Sequence, residues 1–169
     1  MHTLFTPWRF EYLTSPSARL DCIFCAASSA EDPAEVLALY RDERVIVMLN
    51  RFPYSNGHLM VAPRTHASDL YDTDDQVLFS VIRLTAEAQR ILSETYSTDG
   101  FNIGMNIGRA SGAGFADHYH MHVVPRWNGD SNFMTVTAQT RLVPEDLDST
   151  MTKLQPKFDA IARLTTTDS

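Results

Sequence analysis

Cysteine is nearly missing from this chain, with only Cys22 and Cys25 in 169 residues. A disulfide framework is thereby excluded, and the pattern points to a reducing, cytoplasmic setting. Positive charge is also short: Lys and Arg number 14 against 21 Asp and Glu, a formal net charge of −7. That balance argues against a general nucleic-acid binder, because phosphate backbones demand clustered cations. No apolar run approaches the ~20 residues that span a bilayer, so no membrane partner is expected. The N-terminal stretch MHTLFTPWRFEYL lacks the basic and continuously apolar segments of a secretory leader. Internal repeats and long linkers are absent too. The expectation is one domain over residues 1–169, long enough to bury a core without covalent staples.

The two thiols that are present, in Asp21-Cys22-Ile23-Phe24-Cys25, suit a chelate or a redox pair. A redox pair belongs at the mouth of a βαβ unit, which the flanking residues do not spell. Half of a zinc site is the better functional reading, and it needs histidine partners from elsewhere. Two small residues packed near the N-terminus remain the plain alternative.

Along the chain, residues 26–35 (AASSAEDPAE) read as a surface loop. Val36–Tyr40 and Val45–Leu49 read as a hairpin, and His58–Ala62 as a further strand stopped by Pro63. Asp72 or Thr73 can cap a helix from about Asp74 to Ser93, with Val77, Leu78, Val81, Leu84, Ala88, Ile91 and Leu92 on its apolar face. Strands follow at Phe101–Asn106 and His118–Pro125. A C-terminal helical extension over about residues 144–164 carries Leu147, Met151, Leu154, Phe158 and Ile161, interrupted by Pro156, with Thr165–Ser169 frayed. Strands joined by short turns outnumber helices. The fold class is therefore α+β, a mostly antiparallel sheet with one long central helix and a C-terminal helix.

Histidine is the residue this chain concentrates. Of six, three fall within five residues, at His118, His120 and His122. A strand has a side-chain period of two, so the three share one face with imidazoles roughly 6–7 Å apart. Two chemistries fit such a row: metal chelation, or nucleophilic attack at phosphorus by neutral imidazole. The preceding segment favours the second. Asn106-Ile107-Gly108-Arg109-Ala110-Ser111-Gly112-Ala113-Gly114 holds three glycines with one Arg, one Ser and one Asn. Glycines let backbone N–H groups surround an anion, and Arg and Ser add direct donors.

His118-Tyr119-His120-Met121-His122-Val123-Val124 resembles the signature of the histidine triad (HIT) superfamily. Val47 to Pro53, Gly57 to His66, and Asn106-Ile107-Gly108 are similar to that family's other elements, so the likeness covers about residues 20–130. His122 to Asp130, with Pro7-Trp8-Arg9, resembles the branch holding fragile-histidine-triad hydrolases and bacterial diadenosine tetraphosphate phosphorylases. The resemblance implies a HIT-like fold and a nucleotidyl-transferring enzyme that cleaves dinucleoside polyphosphates. Its middle histidine, His120, would form a nucleotidyl-histidine intermediate, with His122 on the phosphate oxygens and His118 flanking. Asn50 would meet the ribose, Asn106 the phosphates, and Phe52 and Leu49 the purine; the last two could equally be plain core. By position the resemblance also implies a structural zinc held by Cys22, Cys25, His66 and His118, no organic cofactor, and a homodimer. His58 and His2 are read as structural or solvated.

One departure bears on the acceptor. Many superfamily members place Gly-Gln before the triad, whereas Gly112-Ala113-Gly114-Phe115-Ala116-Asp117 has no Gln. Small residues there leave room for inorganic phosphate in place of water, so phosphorylase and hydrolase stay open. An adenosine phosphoramidase, and a zinc-stabilised nucleotide-binding module with little catalysis, are the alternatives.

Overall fold

The computed structural model describes residues 22–130 and 145–167; Pro7-Trp8-Arg9 lies outside them. Its elements run α1 (Ile23–Ser29), β1 (Ala38–Arg41), β2 (Val45–Leu49), β3 (Leu59–Pro63), α2 (Asp75–Tyr96), β4 (Gly100–Met105), a 3-10 turn (Arg109–Ser111), β5 (Met121–Arg126) and α3 (Leu147–Thr167). The strands form one antiparallel sheet in the order β1-β2-β3-β5-β4. The expected α+β class is what the structure has. No helix among the described residues is long and apolar enough to cross a membrane.

Strand alternation divides the apolar residues between two faces. Val45, Val47 and Leu49 of β2, Leu59 and Val61 of β3, and Met121 and Val123 of β5 point toward α2 and α3. There they meet Val81, Leu84, Ala88, Ile91 and Leu92 of α2 and Leu154 and Phe158 of α3. The in-between residues, Ile46, Met48, Met60 and Ala62, face the other way and pack under Phe24 and Ala27 of α1. Both faces of β2 are thus dry, which is why its five residues are apolar without interruption.

Helix α2 is capped by Asp74, not by the expected Asp72 or Thr73: the Asp74 carboxylate accepts from the Gln76 N–H at 2.8 Å, and the helix begins at Asp75. It runs three residues past the expected Ser93, to Tyr96, and stops at left-handed Ser97 (φ 49°). Five further expectations need correction. Residues 26–35 are not all loop, because Ile23–Ser29 is helical. Pro63 ends β3 from inside, paired with Val45. Pro156 does not break α3, and α3 continues to Thr167 where fraying was expected from Thr165. The histidine strand starts only at Met121, so His118, Tyr119 and His120 precede it.

Candidate active site and metal centre

His118 leaves the strand because its ring is occupied elsewhere. A carbonyl can only accept, so Nε2–H of His118 donates to Pro63 O at 2.8 Å, and its proton therefore sits on Nε2. The Nδ1 lone pair is then free. It faces Cys22 Sγ at 3.0 Å and Cys25 Sγ at 3.7 Å, and His66 Nδ1 lies 3.4 Å from Cys25 Sγ. One ligand atom from each of Cys22, Cys25, His66 and His118 falls within 4.8 Å of all the others. Tetrahedral zinc with two S and two N ligands has edges of about 3.3–3.8 Å, so the set is close to closing on one ion. Burial pushes the Cys22 thiol up to about 11, so a bound cation is what would hold it as thiolate. The four residues fit the metal.

The same tautomer logic fixes the nucleophile. His120 Nδ1–H donates to His118 O at 3.0 Å, which leaves the His120 Nε2 lone pair unprotonated. The His120 ring is 5% exposed, and burial pulls its pKa below the ordinary 6.5. Strand β5 sets His122 on the α1 face, between Met60 of β3 and Gly104 of β4. The His120 and His122 rings meet edge to face, 4.7 Å apart, closer than the expected spacing because His120 is outside the strand.

His58, read from sequence as structural or solvated, is in fact part of this cluster. The Tyr54 N–H donates to His58 Nδ1 at 3.1 Å, so the His58 proton is on Nε2. That Nε2–H donates to His122 Nδ1 at 2.9 Å, and the remaining His122 proton is therefore on Nε2, turned outward. Burial, with a smaller push from His120, lowers His122 to about 4. A lone histidine beside a strand carries no pattern of its own, and its partner lies 64 positions away. Only the β3–β5 pairing shows the connection.

The remaining predicted residues fall around the cluster. Asn106 directly follows β4, and His120 directly precedes β5, at the end where Met105 pairs with Met121. Gly108 and Gly112 take positive φ (76° and 83°), as the turn between them requires. Arg109 is exposed, and so is Gly114. Ser111 is not the direct donor expected of it, since its hydroxyl donates to Gly108 O at 2.7 Å within the turn. Asn50 follows β2, and its Oδ1 accepts from the Phe52 N–H at 2.9 Å, shaping the loop that leads to His58. The Phe52 ring is 59% exposed, which removes it from the core and leaves it facing solvent. Leu49, by contrast, is core. A separate cavity of about 550 Å³ beside His66 is lined by Asp72, Asp74 and Asp117.

Comparisons with known proteins agree with this geometry. The family model described as "HIT domain" matches residues 30–129. A protein of Mycobacterium tuberculosis named "AP-4-A phosphorylase" is 35% identical over 158 residues, covering 89% of this chain and 80% of its own. The crystal structure of a Zn-bound histidine triad family protein from Mycobacterium smegmatis superposes with a TM-score of 0.67 at 32% identity, covering 85% and 97% of the two chains. A hypothetical histidine triad nucleotide-binding protein of Sulfolobus tokodaii shares the fold, with a TM-score of 0.65 at 23% identity over 84% and 95%.

Proposed function

The chain belongs to the HIT domain family, and on that premise we propose that it is a nucleotidyl-transferring enzyme cleaving dinucleoside polyphosphates of the diadenosine tetraphosphate type, with inorganic phosphate as acceptor. The observation that carries the reading is the proton arrangement around His120. Its Nδ1–H is held by the His118 carbonyl, so Nε2 carries a free lone pair at any pH above its lowered pKa.

In the first step the His120 Nε2 lone pair forms a bond to the α-phosphorus while the bond from phosphorus to the ATP leaving oxygen breaks. Charge grows on the non-bridging oxygens, where the His122 Nε2–H donates. In the second step a phosphate oxygen attacks the same phosphorus, Nε2 leaves, and the adenylyl group departs as ADP. Arg109, Asn106 and the amides of the Gly108–Gly114 loop would hold the phosphates, and Asn50 the ribose. Phosphate rather than water is supported by the small residues before the triad and by the printed name of the M. tuberculosis relative.

A zinc ion held by Cys22, Cys25, His66 and His118 would supply cross-linking of α1 to His66 and His118 rather than chemistry. Thiolates that serve as ligands suit the reducing cytoplasm. A homodimer is part of the same proposal, because among the described residues β4 is the last strand of the sheet and Ile103 on it is exposed.

The test is to separate the products of diadenosine tetraphosphate with and without phosphate. Phosphate-dependent ADP and ATP are expected, with His120→Ala reducing turnover on the order of 10³-fold or more. ATP and AMP formed without phosphate would overturn the acceptor. Binding without turnover, or an active His120→Ala, would overturn the mechanism.

A further inference from the structure

We propose that Phe24 is a positioning residue for His120, and that metal bound at the Cys22–His118 cluster acts on the nucleophile through the helix that carries this ring. The proposal rests on the reading of His120 as nucleophile.

Helix α1 cannot hold itself together. It has seven residues, no side-chain cap at Cys22, and no acidic residue in its first turn. A helix this short does not repay its own nucleation, so outside contacts must fix it. Its C-terminal end is fixed by two guanidinium groups. Arg41 Nη1 donates to Ala30 O at 2.7 Å and Ala27 O at 3.2 Å, and Arg64 Nη2 donates to Ser28 O at 2.9 Å. Among the described residues, its N-terminal end is held by the packing of Phe24 and by the two cysteines, whose sulfurs face His118 and His66.

Phe24 lies between those cysteines, on the same turn. It is fully buried, and its ring lies against His120 at 4.7 Å between centroids, with an interplanar angle of 33°. His118 is 5.1 Å from the same ring, and Phe115 closes its outer edge at 6.4 Å. The Nδ1–H bond to His118 O fixes one nitrogen of His120. It leaves the ring free to tilt about that bond, because the terminal torsion of histidine is broad. The face of Phe24 blocks one direction of tilt, and the edge-on ring of His122 at 4.7 Å blocks another. Nε2 is thereby aimed, and water is kept off the covered face.

The coupling to metal follows. An ion shared by Cys22, Cys25, His66 and His118 ties the first turn of α1 to the residue whose carbonyl holds His120. Without it the arginines still hold the far end and packing still buries Phe24, but its ring is no longer locked to one position over His120. If Phe24 were only a member of the apolar cluster with Ala27, Ile46, Met48 and Met60, its truncation would change stability and leave the chemical step alone.

The experiment uses the zinc-loaded chain and Phe24→Leu, which keeps an apolar side chain without a flat ring. Metal content is expected to stay at the wild-type value. Diadenosine tetraphosphate turnover should fall by about tenfold in kcat with KM within about twofold, one misaligned contact's worth. In histidine-labelled NMR spectra without substrate, the His120 ring protons should lose the ring-current shift that Phe24 imposes. Chelation of zinc from the wild type should move the same signals, and chelation should not lower the kcat of Phe24→Leu further. A folded, metal-loaded Phe24→Leu with wild-type kcat and unmoved His120 signals overturns the proposal. So does a His120 signal unmoved by chelation of the wild type, an arm that needs no substitution to fold. Because the NMR shift is read without nucleotide, its failure is distinguishable from failure of the proposed reaction.

Discussion

A neutral imidazole has one N–H and one lone pair, so a partner on either nitrogen decides what the other can do. That rule gives each clustered histidine a separate role here. The Pro63 carbonyl leaves His118 with an Nδ1 lone pair suited to a metal, and the His118 carbonyl leaves His120 with an Nε2 lone pair suited to the proposed attack. The Tyr54 N–H, acting through His58, makes His122 an Nε2–H donor. Phenylalanine in place of His58 fills similar space and donates nothing. In His58→Phe, His122 is then free to hold its proton on either nitrogen, and free to take a second one. We expect kcat to fall about tenfold, the value of one hydrogen bond of ~1.4 kcal/mol. The acid limb should stay in place. It belongs to His120, whose Nε2 lone pair is lost on protonation, and burial holds that group below the ordinary 6.5, so activity should fall only below that value. His58→Phe leaves the burial of His120 as it is, so the variant should lose rate without moving the limb. Rate profiles between pH 4 and 8 measure both the rate and the limb, and superimposable profiles would exclude this role for His58.

Elements differ in how plainly their sequences announce them. Helix α2 has twenty-two residues and a capping Asp74, so its apolar spacing is long enough to read. Helix α1 has two turns and no periodicity to find; it exists because Arg41, Arg64 and the cysteine cluster hold it. The alternation of His118, His120 and His122 singles out rings that the structure does bring together, but not by strand geometry. Only His122 is in β5, because His118 is drawn off toward Pro63 and the thiols. In α3 the sequence shows both a helical stripe and Pro156, and the stripe wins. Leu154 and Phe158 are fully buried on either side of the proline, and Gln155 Nε2 donates to Leu39 O at 3.0 Å. Packing there outweighs a residue that costs a helix interior about 3 kcal/mol against alanine. Proline also restricts the unfolded chain, which offsets part of that cost. Pro156→Ala should therefore stabilise by about 2 kcal/mol, raising Tm by about 4–8 °C in calorimetry. An unchanged or lower Tm would show that Pro156 carries no net cost in α3.

For the whole molecule, net charge and sheet edge have to be weighed together. Two copies carrying −7 each repel, so any surface on which they meet must be locally neutral. Strand β4 meets that condition: Gly100-Phe101-Asn102-Ile103-Gly104-Met105 has no charge. Natural sheets usually guard an open edge with Lys, Pro or a covering element, and β4 has none of these within its six residues. Its pairing with β5 puts Ile103 beside Val123, on the face that α2 covers farther in, yet Ile103 remains 41% exposed. An antiparallel β4–β4 contact between two copies would satisfy the free backbone groups and bury both Ile103 side chains. It would also join two five-stranded sheets into one, with Asn106 of each copy a single residue from the seam. Light scattering is expected to give twice the chain mass, more firmly at higher salt because screening weakens the repulsion. Ile103→Lys, which sets two like charges against each other across the proposed twofold axis, should run at the mass of one chain while keeping its zinc. A wild-type chain of single mass, or an Ile103→Lys chain still of double mass, would show that β4 is not the seam.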